Sequence, residues 1–148
     1  MSGAAPDPDV TARLLRGRLA DGPLDLPVSG ASMRGVIDSG ATVEVRAGGT
    51  PRIGEIWAFT ADGGDVVVHR VRHVRSDGIV GRGAGNRTDD PPVGHDRLIG
   101  LVTAARHDGR TRRFGRVDRI QAAVGFSLRA IARRVRRATE RPPSTHSG

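Results

Sequence analysis

Cysteine and lysine are both absent from this sequence of 148 residues, because all 24 basic side chains other than histidine are arginine. Without cysteine, the chain has no disulfide framework, no thiolate nucleophile and no zinc site built on thiolates. Without lysine, no mechanism can rely on a lysine side chain. The length suffices for one domain with a hydrophobic core and terminal tails, and is too short for two ordinary domains with a linker.

Long apolar segments are also missing. No run approaches the roughly 18 apolar residues that a membrane-spanning helix requires. The segment 1–10 carries proline and aspartate where a secretory signal would carry positive charge followed by an apolar stretch. We therefore expect a cytoplasmic protein.

Positive charge is concentrated towards the C-terminus. Residues 1–103 contain 12 arginines and 13 acidic residues, whereas residues 104–148 contain 12 arginines and 3 acidic residues. Arginine clusters bind nucleic-acid phosphates without sequence preference. However, three phenylalanines and one tryptophan offer little basis for stacking on nucleobases. A nucleic acid is therefore not the expected partner.

The N-terminal region, residues 1–23, is predicted to be a disordered tail over 1–8 followed by a short helix over 9–20. In this helix the apolar residues Val10, Leu14, Leu15 and Leu19 are expected near one face. The helix could pack on the domain or act as a lid.

The central region, residues 24–107, has the pattern of a mainly antiparallel β domain. Short segments rich in β-branched residues alternate with turns that contain glycine, proline and aspartate. Strands are predicted over 42–46, 56–60, 65–74, 78–82 and 98–106.

A basic amphipathic helix is predicted over residues 116–138. Apolar residues recur there at steps of three and four, and arginines are interspersed among them. Three roles remain open for this helix: contact with an anionic membrane surface, packing on the β domain or a partner, and binding of nucleic-acid phosphates. Residues 139–148 contain consecutive prolines and are predicted to be a disordered tail.

One serine stands in a turn suited to nucleophilic chemistry. Ser32 follows Gly30, which allows a sharp backbone bend, and a short apolar run precedes both. The backbone amides of Ala31 and Ser32 could face a developing oxyanion. Taken alone, this segment is more typical of a surface turn.

The order of five segments changes that interpretation. They are Ser29-Gly-Ala-Ser-Met33, Gly54-Glu-Ile-Trp-Ala-Phe59, Val68-His-Arg-Val71, Gly83-Ala-Gly-Asn86 with Asp89-Asp90, and Leu98-Ile-Gly-Leu-Val102. In type and order they resemble the signal-peptidase/LexA-like serine peptidase superfamily. The resemblance implies an antiparallel β catalytic core of that kind, with Ser32 as the nucleophile and Ala31 and Ser32 as the oxyanion hole.

The same resemblance implies a histidine base. Bacterial signal peptidases and LexA-like repressors use a lysine, whereas the type I signal peptidases of archaea and the endoplasmic reticulum use a histidine. His69 stands in the matching segment, and His73, which has the same strand parity, is the alternative. In a strand, His69 would share a face with Val67 and Val71, whereas Arg70 would point to the opposite face and form a surface ion pair.

Asp90 is the carboxylate that the resemblance assigns to orienting the histidine. Ala84 stands where the superfamily has a further aspartate, so either Asp90 acts alone or Asp89 takes the role. The resemblance also implies a groove for an extended peptide with small residues before the cut. Met33 and Trp57 are the expected wall residues of this groove.

The leading hypothesis is thus a serine endopeptidase that acts on a peptide or precursor protein and requires no metal or other cofactor. The second is a catalytically impaired relative that binds peptides or a partner, suggested by Ala84. In the third, the peptidase-like core is only the scaffold of a basic, nucleic-acid-associated protein.

Overall fold

The computed structural model describes residues 3–139, apart from the side chains of residues 130 and 137–139. It is mainly antiparallel β with one helix at each end, as the sequence predicts. The helices are α1 (Pro8–Arg18) and α2 (Arg116–Thr139), and short 3₁₀ helices span Leu19–Asp21 and His95–Arg97. The strands are β1 (Leu24–Pro27), β2 (Thr42–Arg46), β3 (Ile56–Thr60), β4 (Val66–Arg75), β5 (Gly78–Arg82), β6 (Val93–Gly94), β7 (Leu98–His107) and β8 (Arg110–Arg113).

All eight strands belong to one sheet, in the order β1-β2-β7-β3-β4-β5-β6, with β8 pairing to β7. Each pair is antiparallel. The five predicted strands are present, with ends that differ by at most one residue. The prediction missed β1, β6 and β8. Strand β8 reads Arg-Thr-Arg-Arg and is exposed throughout, and a strand without apolar alternation gives no periodic signal.

The sheet is buried on both faces around β3, all of whose residues are buried. Successive strand side chains point to opposite faces, so Ile56 and Ala58 belong to one hydrophobic cluster and Trp57 and Phe59 to another. The first cluster also contains residues from α1, β2 and β7, and the second contains Val71, Ile79, Val93 and Leu98. Strand β4 follows the same rule. His69 contacts the second cluster, as its predicted parity requires.

Helix α1 begins one residue before the predicted start, and only two of the four apolar residues expected on its buried face lie there, namely Leu15 and Leu19. The side chain of Asp7 accepts hydrogen bonds from the amides of Asp9 and Val10, which caps the first turn. Val10 is 39% exposed and Leu14 is 64% exposed. The buried stripe instead runs through Ala12, Leu15 and Leu19. The small side chain of Ala12 allows the helix to approach the sheet closely. Alanine is only weakly hydrophobic, so the pattern of large apolar residues did not identify it as a core position.

The predicted N-terminal tail is partly ordered. The Pro8 carbonyl accepts a hydrogen bond from the buried Thr60 hydroxyl at 2.8 Å. The Pro6 carbonyl packs against Gly64, where a Cβ would come within 2.4 Å of it. Residues 1–2, and residues 140–148 of the predicted C-terminal tail, lie outside the described part of the chain.

A buried ion pair attaches α2 to the sheet. Arg70 in β4 donates from Nη1 to the Gly54 carbonyl at 2.7 Å and to Asp118 Oδ2 at 2.9 Å. Arg70 is only 7% exposed, so the expected surface ion pair is in fact a buried one. Asp118 lies in the first turn of α2, a position that its negative charge also stabilises.

The apolar stripe of α2 does not pack on the β core. Its members are 48–69% exposed, namely Val117, Ile120, Val124, Leu128, Ile131 and Val135. The helix approaches the sheet through small residues on another side, with its Arg119 carbonyl close to Gly54. Phe126 lies under the Arg72 guanidinium, 4.5 Å from ring centroid to Cζ. Within residues 3–139, no helix is both long enough and apolar enough to cross a membrane.

Candidate active site

Ser32 lies in the connection between β1 and β2, in a turn that its own backbone stabilises. Gly30 has a φ of 85°, a left-handed conformation that glycine adopts without strain. The Arg34 amide donates to the Ala31 carbonyl at 3.1 Å, and the Gly85 amide donates to the Ser32 carbonyl at 2.9 Å. The second bond joins the serine turn to the segment that follows β5.

His69 is the side chain that approaches the Ser32 hydroxyl. It lies in β4 opposite Trp57 of β3, and the residue is 7% exposed. Its Nε2 is 3.0 Å from Ser32 Oγ, although 37 residues separate the two along the chain. The imidazole and the Phe59 ring pack in a T-shaped arrangement, with a centroid distance of 6.0 Å and an interplanar angle of 75°. Packing therefore restricts the orientation of the imidazole.

The carboxylate of Asp90 holds the other side of the imidazole. Asp90 Oδ2 lies 2.5 Å from His69 Nδ1, so the carboxylate contacts this ring nitrogen directly. A histidine that donates from Nδ1 leaves Nε2 free to accept a proton from the serine hydroxyl. Serine, histidine and aspartate are thus connected in the order that nucleophilic activation requires.

Two glycines allow these three residues to come together. A Cβ on Gly81 would lie 3.1 Å from Asp90 Oδ2 and 3.5 Å from the Cβ of His69. A Cβ on Gly83 would lie 2.4 Å from the Ser32 carbonyl oxygen, which is closer than real Cβ atoms approach. A side chain at either position would crowd the site. Gly83 belongs to a segment quoted above, whereas Gly81 was not singled out from the sequence.

The two alternative residues lie elsewhere. Asp89 faces Arg72 of β4 at 3.3 Å and His73 at 3.7 Å, so it makes no contact with His69. His73 follows a register shift in the pairing of β4 with β5, and its side chain is 58% exposed. The sequence left open whether Asp89 or Asp90 lies beside His69, and the structure places Asp90 there. At the position where the superfamily pattern has a further aspartate, the backbone amide of Ala84 donates to the Met33 sulfur at 3.3 Å.

The amides of Ala31 and Ser32 are available for an oxyanion. Across residues 3–139, neither amide donates a hydrogen bond to another residue. Both lie at the turn that carries Ser32 Oγ, and Ala31 is exposed. Two adjacent unpaired N–H groups beside a nucleophile can stabilise negative charge on a carbonyl oxygen.

The expected groove residues are core residues. Met33 is 2% exposed in the first hydrophobic cluster, and Trp57 is 4% exposed in the second. Trp57 packs so closely on Gly48 that a Cβ there would lie 2.5 Å from the indole ring. Both side chains are thus largely enclosed, although Trp57 also borders a separate cavity of about 430 Å³ together with Leu19 and Leu98. Their role as walls of a substrate groove stays a prediction.

The recess beside His69 is lined by other residues. A cavity of about 280 Å³ lies against His69 and Asp90, and its walls are mainly apolar. The apolar part of the lining consists of Phe59, Ala61, Val67, Pro91, Pro92 and Val93. Sequence reasoning missed this set. The two prolines directly after Asp90 were the available signal, since consecutive prolines form a stiff segment with few backbone donors.

An ion-pair cluster closes the rim of this cavity. Arg97 bonds to Asp62 in the turn between β3 and β4, and also to Asp9 of α1 at 3.2 Å. The hydrogen bond to Asp62 raises the pKa of Arg97 and outweighs the opposing effect of burial; the bond to Asp9 acts in the same direction. The cluster joins three distant segments of the chain at the cavity edge.

The chain matches no protein-family model and no curated protein in sequence. The resemblance carried by the five sequence segments therefore stays a prediction, and the site must be interpreted from its own geometry.

Proposed function

We propose that this protein is a serine endopeptidase of the signal-peptidase/LexA-like kind, with Ser32 as nucleophile, His69 as base and Asp90 as the orienting acid. One observation carries the proposal, the continuous contact from Ser32 Oγ to His69 Nε2 at 3.0 Å and from His69 Nδ1 to Asp90 Oδ2 at 2.5 Å. Three residues drawn from separate segments meet in hydrogen-bonding order, which favours activation of the serine hydroxyl.

The proposed reaction proceeds in two displacements. Ser32 Oγ attacks the peptide carbonyl carbon while its proton moves to His69 Nε2, and the amides of Ala31 and Ser32 receive the oxyanion. The intermediate then collapses, the C–N bond breaks, and the departing amine takes the proton from His69. Water attacks the resulting ester in the same manner and regenerates the Ser32 hydroxyl. The carboxylate of Asp90 stabilises the imidazolium in both halves.

The substrate in this proposal is an extended segment of a peptide or precursor protein. The 280 Å³ cavity beside His69 has mainly apolar walls, which supports binding of a small or medium apolar side chain near the scissile bond. This agrees with the small-residue preference that the superfamily resemblance implies. The chemistry requires no metal or other cofactor.

The test compares the wild type with Ser32→Ala on a diverse peptide library, with products identified by mass spectrometry. Ser39→Ala is the matched control, because Ser39 is an exposed turn residue with no contact to His69. We expect cleavage by the wild type and the control, and none by Ser32→Ala. Equal cleavage by Ser32→Ala would refute the assignment. Binding without turnover in all three proteins would instead favour the impaired, peptide-binding alternative.

A second proposed property is contact of α2 with an anionic membrane surface. The exposed apolar stripe of the helix is accompanied by exposed arginines at 129, 133, 134 and 136. A helix with this combination lies in the interface, where its apolar side chains enter the headgroup region and its arginines meet anionic lipids. The working hypothesis is a cytoplasmic enzyme that contacts the inner membrane surface.

Co-sedimentation with vesicles tests this contact. We expect the full chain to bind vesicles rich in phosphatidylglycerol and to remain in solution with phosphatidylcholine alone. Leu128→Asp/Ile131→Asp should abolish binding, whereas Val10→Asp/Leu14→Asp, which also adds two charges at exposed apolar positions, should not. Unchanged binding by the first variant would contradict the membrane proposal.

A further inference from the structure

A second cavity, of about 330 Å³, is lined by five arginines. It lies between the sheet, the residues that follow Ser32, the segment 83–86 and the inner side of α2. The arginines are Arg34, Arg70, Arg72, Arg82 and Arg129. Among residues 3–139, no acidic residue lines this cavity. A recess of this size with five cationic side chains has a strongly positive potential.

Carboxylates close to the cavity do not balance these charges. Arg70 is paired with Asp118, whereas Arg72 and Arg82 share Asp89 at 3.3 and 3.9 Å. Within the described part of the chain, Arg34 and Arg129 form no ion pair. The cavity therefore holds more cations than its own structure neutralises.

Two of the guanidinium groups are in an unfavourable environment as they stand. The Nε atom of Arg72 is buried and, among the described residues, makes no hydrogen bond, because its 3.3 Å approach to Asp89 is poorly aligned. Burial, and next the positive charge of Arg72, lower the pKa of Arg82. An anion bound in the cavity would reduce the repulsion between these guanidinium groups.

The cavity adjoins the nucleophile. Arg34 follows Ser32 by two residues, and the segment that begins at Gly83 forms both a wall of the cavity and the support of the serine turn. The close approach of Gly83 to Ser32 joins the two directly, with only 3.0 Å between the Cβ that Gly83 would carry and the Cβ of Ser32. The cavity therefore borders the turn that carries Ser32.

We propose that the arginine cavity binds an acidic side chain of the substrate, glutamate or aspartate, next to the bond that Ser32 attacks. The inference rests on the proposed peptidase function and adds a substrate class to it. Guanidinium groups present paired N–H donors that fit a carboxylate in two-point contact. Lipid phosphates could use the same donors, but the position of the cavity beside the serine turn favours the peptide.

The decisive measurement compares peptides that differ only by glutamate or glutamine near the cut, in the absence of lipid. We expect the wild type to show a kcat/KM about tenfold higher for the glutamate peptide. In Arg34→Gln/Arg129→Gln this ratio should approach one. Arg13→Gln/Arg18→Gln removes the same charge from exposed positions of α1 and should retain the wild-type ratio. Equal ratios in all three proteins would overturn the proposal.

A binding experiment separates failure of the cavity from failure of the peptidase. Ser32→Ala is titrated with the two peptides carrying a fluorophore, with and without the Arg34→Gln/Arg129→Gln changes. Tighter binding of the glutamate peptide that depends on these arginines supports the cavity even if no protein cleaves. If the wild type cleaves but neither assay shows a preference for the glutamate peptide, the peptidase proposal is retained and the proposed role of the cavity is rejected. Arginine-dependent binding of phosphatidylglycerol vesicles without any peptide preference also rejects it.

Discussion

Asp90 and Gly81 are joined through the backbone, since the Asp90 amide donates to the Gly81 carbonyl at 2.8 Å, and Gly81 pairs with Val71 two residues after His69. The carboxylate is therefore held by the same strand pairing that positions the imidazole. In the proposed mechanism, this pairing would let Asp90 orient His69 without a second acid. Ala84 stands where the superfamily that the sequence resembles has a further aspartate, and Asp90 makes the contact with Nδ1.

Removal of the Asp90 carboxylate should impair turnover much more than folding. Asp90→Asn leaves a side chain of the same size that no longer fixes the imidazole in the required tautomer, so we expect kcat to fall by about 10³–10⁴-fold. Asp89→Asn, the neighbouring change, should lower kcat by less than about tenfold, because Asp89 faces Arg72 and not His69. Comparable losses in both variants would contradict the assignment.

Activity should be lost on acidification. A protonated imidazole cannot accept the Ser32 proton, so kcat/KM should fall by about tenfold for each pH unit on the acid side of the profile. The measurement is kcat/KM for one good peptide over about pH 5 to 9, within which histidines usually titrate. Circular dichroism at each pH serves as the control for unfolding. A flat profile in a folded protein would argue against a histidine base.

Gly83→Ala should disable the site while the fold remains. The new Cβ would meet the Ser32 carbonyl oxygen, which belongs to the backbone and can yield only if the serine turn moves. A displacement of this kind is expected to lower kcat/KM by about 100-fold. Gly49→Ala is the control, because a Cβ there meets nothing within 4 Å. Full activity in Gly83→Ala would show that the close packing is not required.

Thr103→Val should destabilise the protein in a pH-dependent manner. The Thr103 hydroxyl donates to Glu44 Oε1 at 2.8 Å, and this bond, followed by one from Arg46, lowers the pKa of Glu44 below 4.5. A carboxylate with a lowered folded-state pKa stabilises the fold above its unfolded-state pKa and loses that contribution as pH falls through the folded-state value. The melting temperature of Thr103→Val should therefore be a few degrees lower at pH 7.

The difference between wild type and Thr103→Val should shrink in acid, where Glu44 is protonated in both proteins. Thr111→Val, an exposed position in β8, is the control for the general effect of valine in a strand. Thermal melts of the three proteins across the acid range provide the comparison. A difference that stayed constant with pH would assign the stabilisation to packing instead of the carboxylate.

Strand positions were predicted well where alternation and turns agreed, as in β2, β3 and β5, whose bounds match the prediction. Prediction of burial failed where a residue is buried by a segment distant in the sequence. The buried face of α1 runs through Ala12, which becomes a core position only because the sheet lies against it. Arg70 is buried because Asp118, 48 residues away, neutralises it.

Some features of the candidate site could likewise be predicted from the sequence, and others could not. The resemblance of five ordered segments to a known superfamily predicted Ser32, His69 and Asp90 as the site, and the structure brings these three side chains into contact. The sequence could not decide between Asp89 and Asp90, since adjacent residues differ only in where the folded backbone points them. Nor could it show that Met33 and Trp57 are enclosed and that other residues line the recess.

The sequence by itself determined the β character of residues 24–107, the amphipathic pattern of residues 116–138 and the chemistry that is possible without cysteine or lysine, because periodicity and residue type are local properties. Only the tertiary structure decided that His69 Nε2 meets Ser32 Oγ, that the apolar stripe of α2 is exposed and that five arginines surround one cavity. These relationships depend on strand register and on contacts between segments far apart in the chain, which local patterns do not specify.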